Sequence, residues 1–232
     1  MDSSPDPRDP PAPSAPPLVT ESDLREIARW AAACAERALP IFEARAAGDR
    51  RPREAIAAAK CFAEEGRRTA RLRALGWAAH AAAREVGEPA ATAAARAAMM
   101  AAAAAYTHPI ASPHQINHVL GAAAYAAHAH ALATEGEGGA AGDIAAEAEI
   151  RRALAQASPA IRRIVRRLPG RAPSRGRLGA LYYRLDASLR RERRAPFGCA
   201  MFFAQGRLGA SVQGAHPVKP CAKRVVGQVY MP

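Results

Sequence analysis

The sequence contains few aromatic residues and no obvious cysteine framework. Aromatic residues make up 5% of the 232 residues, whereas hydrophobic residues reach 50%, because alanine supplies most of the apolar content. The four cysteines show no Cys-x-x-Cys spacing, which argues against a zinc knuckle and against a disulfide scaffold. We therefore expect reduced thiols and a core built by close packing of helices rather than by bulky side chains.

Motifs that carry chemistry are also missing. The sequence has no Gly-x-Ser-x-Gly elbow, no phosphate-binding glycine loop and no pair of carboxylates at the spacing used for acid–base catalysis. These absences predict a protein without catalytic residues and without a cofactor.

Long apolar segments are absent as well. The first 17 residues have no apolar core, so we expect no secretory signal peptide. The run "AAMMAAAAAY" is about half of the roughly 20 residues that a membrane-spanning helix needs. We expect a cytoplasmic protein that does not enter a membrane.

Charge is distributed unevenly along the chain. The net charge is +12, yet residues 1–150 hold 15 Lys and Arg against 19 Asp and Glu, an acidic balance compatible with a basic partner. Residues 151–232 hold 18 basic residues against 2 acidic ones. Four arginines lie on adjacent helical turns and are candidate phosphate contacts: Arg162, Arg163, Arg166 and Arg167. They predict weak, salt-dependent binding of nucleic acid. The alternative is that they form only a solvated helix face.

Apolar residues recur at three- and four-residue steps, which predicts helices. Thr20 with Asp23 is typical of a capping box, and Pro52, Pro89 and Pro159 are typical of first helical positions. The predicted helices span 20–46, a segment from 52, 67–87, 89–106, 112–133, 143–157 and 159–168. We predict an all-α fold, a compact antiparallel bundle of about five to seven alanine-rich helices over residues 20–168. A disordered proline-rich leader (1–19) precedes it, and a basic, poorly structured extension (169–232) follows.

Four of the seven histidines lie in one segment, "SPHQINHVLGAAAYAAHAHALA". A capping box at Ser112 to Gln115 is predicted to start this helix. Helical spacing places one stripe of side chains on a common face: His114, His118, Tyr125 and His128. Metal binding would need a third ligand, and no carboxylate occurs between Glu88 and Glu135, so we favour packing at a helix interface and predict no metal. His80 and Arg84, one turn apart, either face a pocket or an acidic partner or form a buried polar pair.

Four segments, in this order, resemble the immunity-5-like group of helical immunity proteins from bacterial polymorphic toxin systems: "IARWAAACAERALPIFE", "DRRPREAIAAAKCFAE", "WAAHAAAREVGEPAATAAARAA" and "HQINHVLGAAAYAAHA". The resemblance covers about residues 20–168. Its distinctive elements are Trp30 with Cys34 to Arg37, the segment Arg51 to Ile56 with Pro52 and Arg53, the segment His80 to Arg84, and the positions His114, His118, Gly121 and Tyr125.

The resemblance implies a cytoplasmic, non-catalytic protein that binds and neutralises a cognate protein toxin. The distinctive tryptophan, arginine, histidine and tyrosine residues become candidates for packing or for partner binding. The remainder beyond residue 168 is either a strain-specific extension or the product of an altered reading frame, because its composition and periodicity change together.

Overall fold

A computed structural model describes residues 18–108, 110–112, 114–134 and 139–191. These residues contain eight α-helices and one short 3-10 helix and no strand: α1 (Glu21–Arg45), α2 (Arg51–Glu65), α3 (Ala70–Glu85), α4 (Pro89–Ala103), a 3-10 turn (Ala104–Tyr106), α5 (Gln115–Ala133), α6 (Gly139–Gln156), α7 (Pro159–Arg167) and α8 (Arg177–Arg190). The predicted all-α bundle is confirmed.

Local capping explains where most helices begin. Thr20 and Asp23 form the predicted capping box, with Asp23 N donating to Thr20 Oγ1 at 3.2 Å and Thr20 N donating to Asp23 at 3.1 Å. Thr69 caps α3 by accepting from Leu72 N at 3.1 Å, so α3 begins three residues later than predicted. Ser158 caps α7, as its sequence indicates.

The start of α5 differs from the prediction. None of the described side chains caps α5, and the Gln115 side chain accepts from His108 N at 2.9 Å instead of completing a capping box. The predicted capping box at Ser112 is therefore wrong, because the Gln115 side-chain oxygen is hydrogen-bonded to His108 of the preceding loop. Pro113 lies outside the described residues.

Helices α4 and α5 form the centre of the bundle. Helix α4 packs against α1, α2, α3 and α5, whereas α5 packs against α1, α4, α6 and α8. Both are built mainly from buried alanines, and glycines bring their neighbours closer still. A Cβ added at Gly121 of α5 would lie 3.0 Å from Met100 Cγ and 3.1 Å from the Tyr182 hydroxyl, so only glycine admits both neighbours without a shift.

The chain beyond residue 168 continues the bundle for one more helix. Helix α8 packs against α5, α6 and α7, and it buries three leucines and one tyrosine: Leu181, Tyr182, Leu185 and Leu189. Residues 177–190 thus contribute to the core. At the other end, Leu18 and Val19 pack against the core, while the rest of the predicted leader and residues 192–232 lie outside the described residues.

Candidate partner-binding site

Trp77 on α3 is the largest apolar side chain that the described residues leave exposed. Its side chain is 67% exposed. The preceding residue, Gly76, faces α4 so closely that an added Cβ would lie 3.3 Å from Ala102 Cβ. Because Gly76 occupies the position facing α4, Trp77 one position later lies at the edge of the helix pair, open to solvent.

Two adjoining cavities flank Trp77. One, of about 900 Å³, lies among the start of α1, the first half of α3 and the 3-10 turn. The other, of about 410 Å³, lies among α3, the end of α4 and the start of α5. Arg73, Trp77 and Tyr106 line both cavities, so we treat the two as one surface. We call it the Trp77 groove and define it by six residues: Arg68, Arg73, Trp77, Met99, Tyr106 and His118.

Contacts within the protein hold the polar residues of this groove in place. The Arg73 guanidinium lies over the Tyr106 ring, 4.9 Å from its centre. Arg68 Nε donates to the Ala105 carbonyl at 2.7 Å, and the Tyr106 hydroxyl donates to the Thr69 carbonyl at 3.2 Å. The groove therefore presents aromatic faces and two guanidinium groups on a positioned scaffold.

Two of the predicted histidines lie next to Trp77. His118 lines the cavity beside Trp77, and the His80 ring lies edge-on to the Trp77 ring at 5.9 Å. Burial lowers the pKa of His118, and the positive charges that His114 and His108 can carry lower it further. His118 is therefore a neutral side chain at pH 7. His114 itself is exposed just before α5, and Arg84 is exposed on α3.

The far end of the predicted stripe belongs to a different interface. Tyr125 packs edge-on against Tyr182 of α8, with 6.4 Å between ring centres, and the Arg96 guanidinium lies 5.9 Å from the Tyr125 ring. Arg171 in turn lies over Tyr182 at 4.4 Å. Tyr125 thus joins α5 to α4 and α8, away from the residues that line the Trp77 groove.

Trp30 and Arg53 also hold helices together. Trp30 is 4% exposed, and its indole nitrogen donates to the Ala153 carbonyl of α6 at 2.9 Å. Arg53 of α2 pairs with the Glu43 carboxylate of α1 through two hydrogen bonds of 2.7 Å. Neither residue lines the two cavities of the groove, and both contact a neighbouring helix.

A buried ion pair near Trp30 escaped the sequence analysis. Glu149 of α6 is fully buried, and its carboxylate accepts from Arg37 Nε of α1 at 2.6 Å. His130 and Arg152 lie 4.0 and 3.6 Å from the same carboxylate. Burial raises the pKa of the neighbouring Cys34 thiol to about 12, so this cysteine is an unreactive thiol at neutral pH.

The four arginines predicted to contact phosphate all lie on α7. Three of them contact groups of the protein: Arg162 donates to the Leu154 carbonyl at 2.9 Å, Arg163 to Asp23 at 3.2 Å and Arg166 to the Arg190 carbonyl at 3.2 Å. Arg167 is exposed. Nucleic-acid binding by this helix stays a prediction, and these contacts already give three of its arginines a structural role.

Comparison with known proteins supports the resemblance. A family model described as "Imm-5 like putative immunity protein" matches residues 18–158, more than half of the chain. This chain belongs to that family. The matched residues run from α1 through α6, so both Trp30 and the whole Trp77 groove lie within the family region. No curated protein and no solved structure matches the chain.

The described residues contain no group of three or more His, Cys, Asp and Glu side chains placed to hold a metal ion. None of their helices combines the length and the apolar character that crossing a bilayer requires. Cys61 is exposed on α2, whereas Cys199 and Cys221 fall outside the described part of the chain.

Proposed function

We propose that this protein binds a cognate bacterial protein toxin and neutralises it without catalysis, in the cytoplasm of the cell that it protects. Membership of an immunity protein family supports a protective role in general. One structural observation supports the location of the binding surface: Trp77 is 67% exposed and lies between two cavities.

The composition of the groove supports binding to a protein. Tryptophan, tyrosine and arginine are the residues that most often dominate the binding energy of protein interfaces. All three occur here side by side as Trp77, Tyr106 and Arg73, and contacts within the protein hold Tyr106 and Arg73 in position. A pre-positioned surface loses little side-chain entropy on binding, which favours affinity.

Protection of cells tests this function. The full-length protein is co-expressed in a bacterial host with each candidate toxin encoded beside its gene, and colony counts are compared with those of an empty vector. We expect full-length protein to restore growth against one such toxin and to co-purify with it. Failure to protect against every neighbouring toxic product, at confirmed expression of both proteins, would overturn the proposal.

A matched pair of variants tests the surface. Trp77→Ala removes the exposed indole, while Ile144→Ala removes another exposed apolar side chain, 68% exposed on α6. We expect Trp77→Ala to lose protection and Ile144→Ala to keep it. Loss of protection in Ile144→Ala but not in Trp77→Ala would show that the binding surface includes α6 and not the exposed face of α3.

A further inference from the structure

The arginines of the Trp77 groove differ from most basic residues of α1 and α2 in what they contact. Arg37, Arg51, Arg53 and Lys60 each contact a carboxylate at 2.6 to 2.7 Å. Arg68 and Arg73 contact a backbone carbonyl and an aromatic ring instead, and neither pairs with a carboxylate of the described residues. Their positive charge is therefore not neutralised by a described carboxylate.

The same groove offers an apolar pocket next to these charges. The cavity of about 410 Å³ is lined by Leu72, Met99 and the Trp77 ring, together with the small residues Gly76 and Ala102. A cavity of this volume has room for one apolar side chain of a partner. His118 lines the wall as a half-buried imidazole whose lowered pKa keeps it neutral at pH 7.

We propose that the Trp77 groove docks an acidic segment of the partner protein, with one apolar side chain in the pocket beside Trp77 and flanking carboxylates on Arg68 and Arg73. This inference rests on the proposed function, because it names the chemistry of the toxin surface that the groove recognises. Glu21 is the only carboxylate among the described residues that line the two cavities. It lies beside Gly66 and lines only the larger cavity, so no carboxylate of the described residues lines the pocket beside Trp77.

The charge of the groove favours a partner of the opposite sign from the one that the net charge of residues 1–150 favours. The acidic balance of residues 1–150 is compatible with a basic partner, yet many of the acidic residues of α1 to α3 pair with basic residues of the same protein: Glu36, Glu43, Asp49 and Glu85. What a partner meets at the groove is the pair of arginines. Charges at an interface act mainly on specificity and association rate, whereas the apolar anchor supplies most of the affinity.

Three synthetic peptides of equal length serve as probes for this chemistry. Each carries a central leucine, flanked on both sides by glutamates, by serines or by lysines, and both ends are blocked. Binding to full-length protein is followed by Trp77 fluorescence, and a Trp77→Phe variant reports the signal of Trp30 alone. We expect the glutamate peptide to bind at least ten-fold more tightly than the lysine peptide at low salt, and this preference to shrink at high salt because ions screen exposed charges.

Two double variants locate the preference. Arg68→Gln with Arg73→Gln should abolish the difference between the glutamate and lysine peptides. Arg67→Gln with Arg71→Gln makes the same charge change on residues that line the cavity between α2 and α3, and it should leave the preference intact. Arg73→Gln alone provides a milder variant, since Arg68 also supports the fold through the Ala105 carbonyl. Unfolding curves confirm that each variant is folded.

Three results would overturn the inference: no binding of any peptide, equal binding of the glutamate and lysine peptides, or a preference that survives loss of both Arg68 and Arg73. These results are separate from the test of function. A protein that protects against its toxin but shows no acidic preference contradicts only the docking chemistry. A protein that prefers the acidic peptide but protects against no toxin contradicts the proposed function.

Discussion

The two tryptophans of this protein lie among similar residues in opposite environments. Trp30 is 4% exposed, hydrogen-bonded to α6, and close in sequence to Arg37, which pairs with the buried Glu149 near His130. Trp77 is 67% exposed and shares a cavity with Arg73 and His118, and no carboxylate in the described part of the chain pairs with either of those side chains. The same residue types thus lie in the interface between α1 and α6 at one site and on an exposed surface of α3 at the other.

The difference lies in what faces each arginine. At the Trp30 site, α1 and α6 are joined by the hydrogen bond from Trp30 to Ala153 and by the ion pair of Arg37 with Glu149, so the carboxylate that faces Arg37 belongs to the protein itself. At the Trp77 groove no carboxylate of the described residues pairs with Arg68 or Arg73. The family region therefore combines one tryptophan site whose arginine is paired within the protein with a second, open site whose arginines are not paired with a described carboxylate.

Removal of each indole should separate the two roles most strongly. Trp30→Ala loses a buried ring and its hydrogen bond, and we expect the free energy of unfolding to fall by about 3 to 5 kcal/mol. Trp77→Ala removes a solvent-exposed ring and should cost less than about 1 kcal/mol. Urea unfolding of both variants measures this contrast, and equal losses would show that the two sites do not differ as described.

The buried carboxylate should have the next largest effect. Glu149→Gln leaves the half-buried Arg37 guanidinium without its counter-charge, so we expect a loss of about 3 kcal/mol in unfolding free energy. Glu36→Gln breaks the exposed pair with Lys60 and serves as the control, with an expected cost of about 0 to 1 kcal/mol. A Glu149 variant as stable as the Glu36 variant would contradict a structural role for the buried pair.

The smallest effect concerns pH at the open site. Because the pKa of His118 is lowered in the folded protein, the unfolded chain binds that proton more readily, and stability should fall as pH drops below about 6.5. His118→Gln should reduce this loss between pH 7 and pH 5, measured by urea unfolding at each pH. An identical pH dependence of the unfolding free energy in wild type and variant would show that folding does not lower the pKa of His118.

Local signals explain what the sequence predicts well. The capping box at Thr20 and the prolines at Pro89 and Pro159 depend only on neighbouring residues, and each lies where it was predicted, at the start of a helix. Pro52 lies one position later than predicted, because α2 begins at Arg51 and Pro52 is its second residue. The capping box at Ser112 failed because Gln115 bonds to His108 seven residues earlier, a contact that helical spacing does not show.

Tertiary contacts explain what the sequence analysis missed. Glu149 lies in "EAEIRR", a pattern typical of a solvated helix face, yet it is fully buried because Arg37 of a distant helix reaches it. Trp77 was not singled out, although it lies in one of the segments that resemble the family. Its neighbour Gly76 is a local signal: a glycine can mark the face of a helix that lies close to another helix, and the next residue is rotated about 100° away from that face.

The affinity of the cognate toxin for two variants tests the central claim most directly. Trp77→Ala and Ile144→Ala remove exposed side chains of α3 and α6, and both should remain as stable as wild type within about 1 kcal/mol. In a titration against immobilised toxin, we expect Trp77→Ala to raise the Kd by about thirty-fold or more, as for an interface residue worth at least about 2 kcal/mol, and Ile144→Ala to change it less than about three-fold. An unchanged Kd for Trp77→Ala would contradict the assignment of the open tryptophan site as the binding surface.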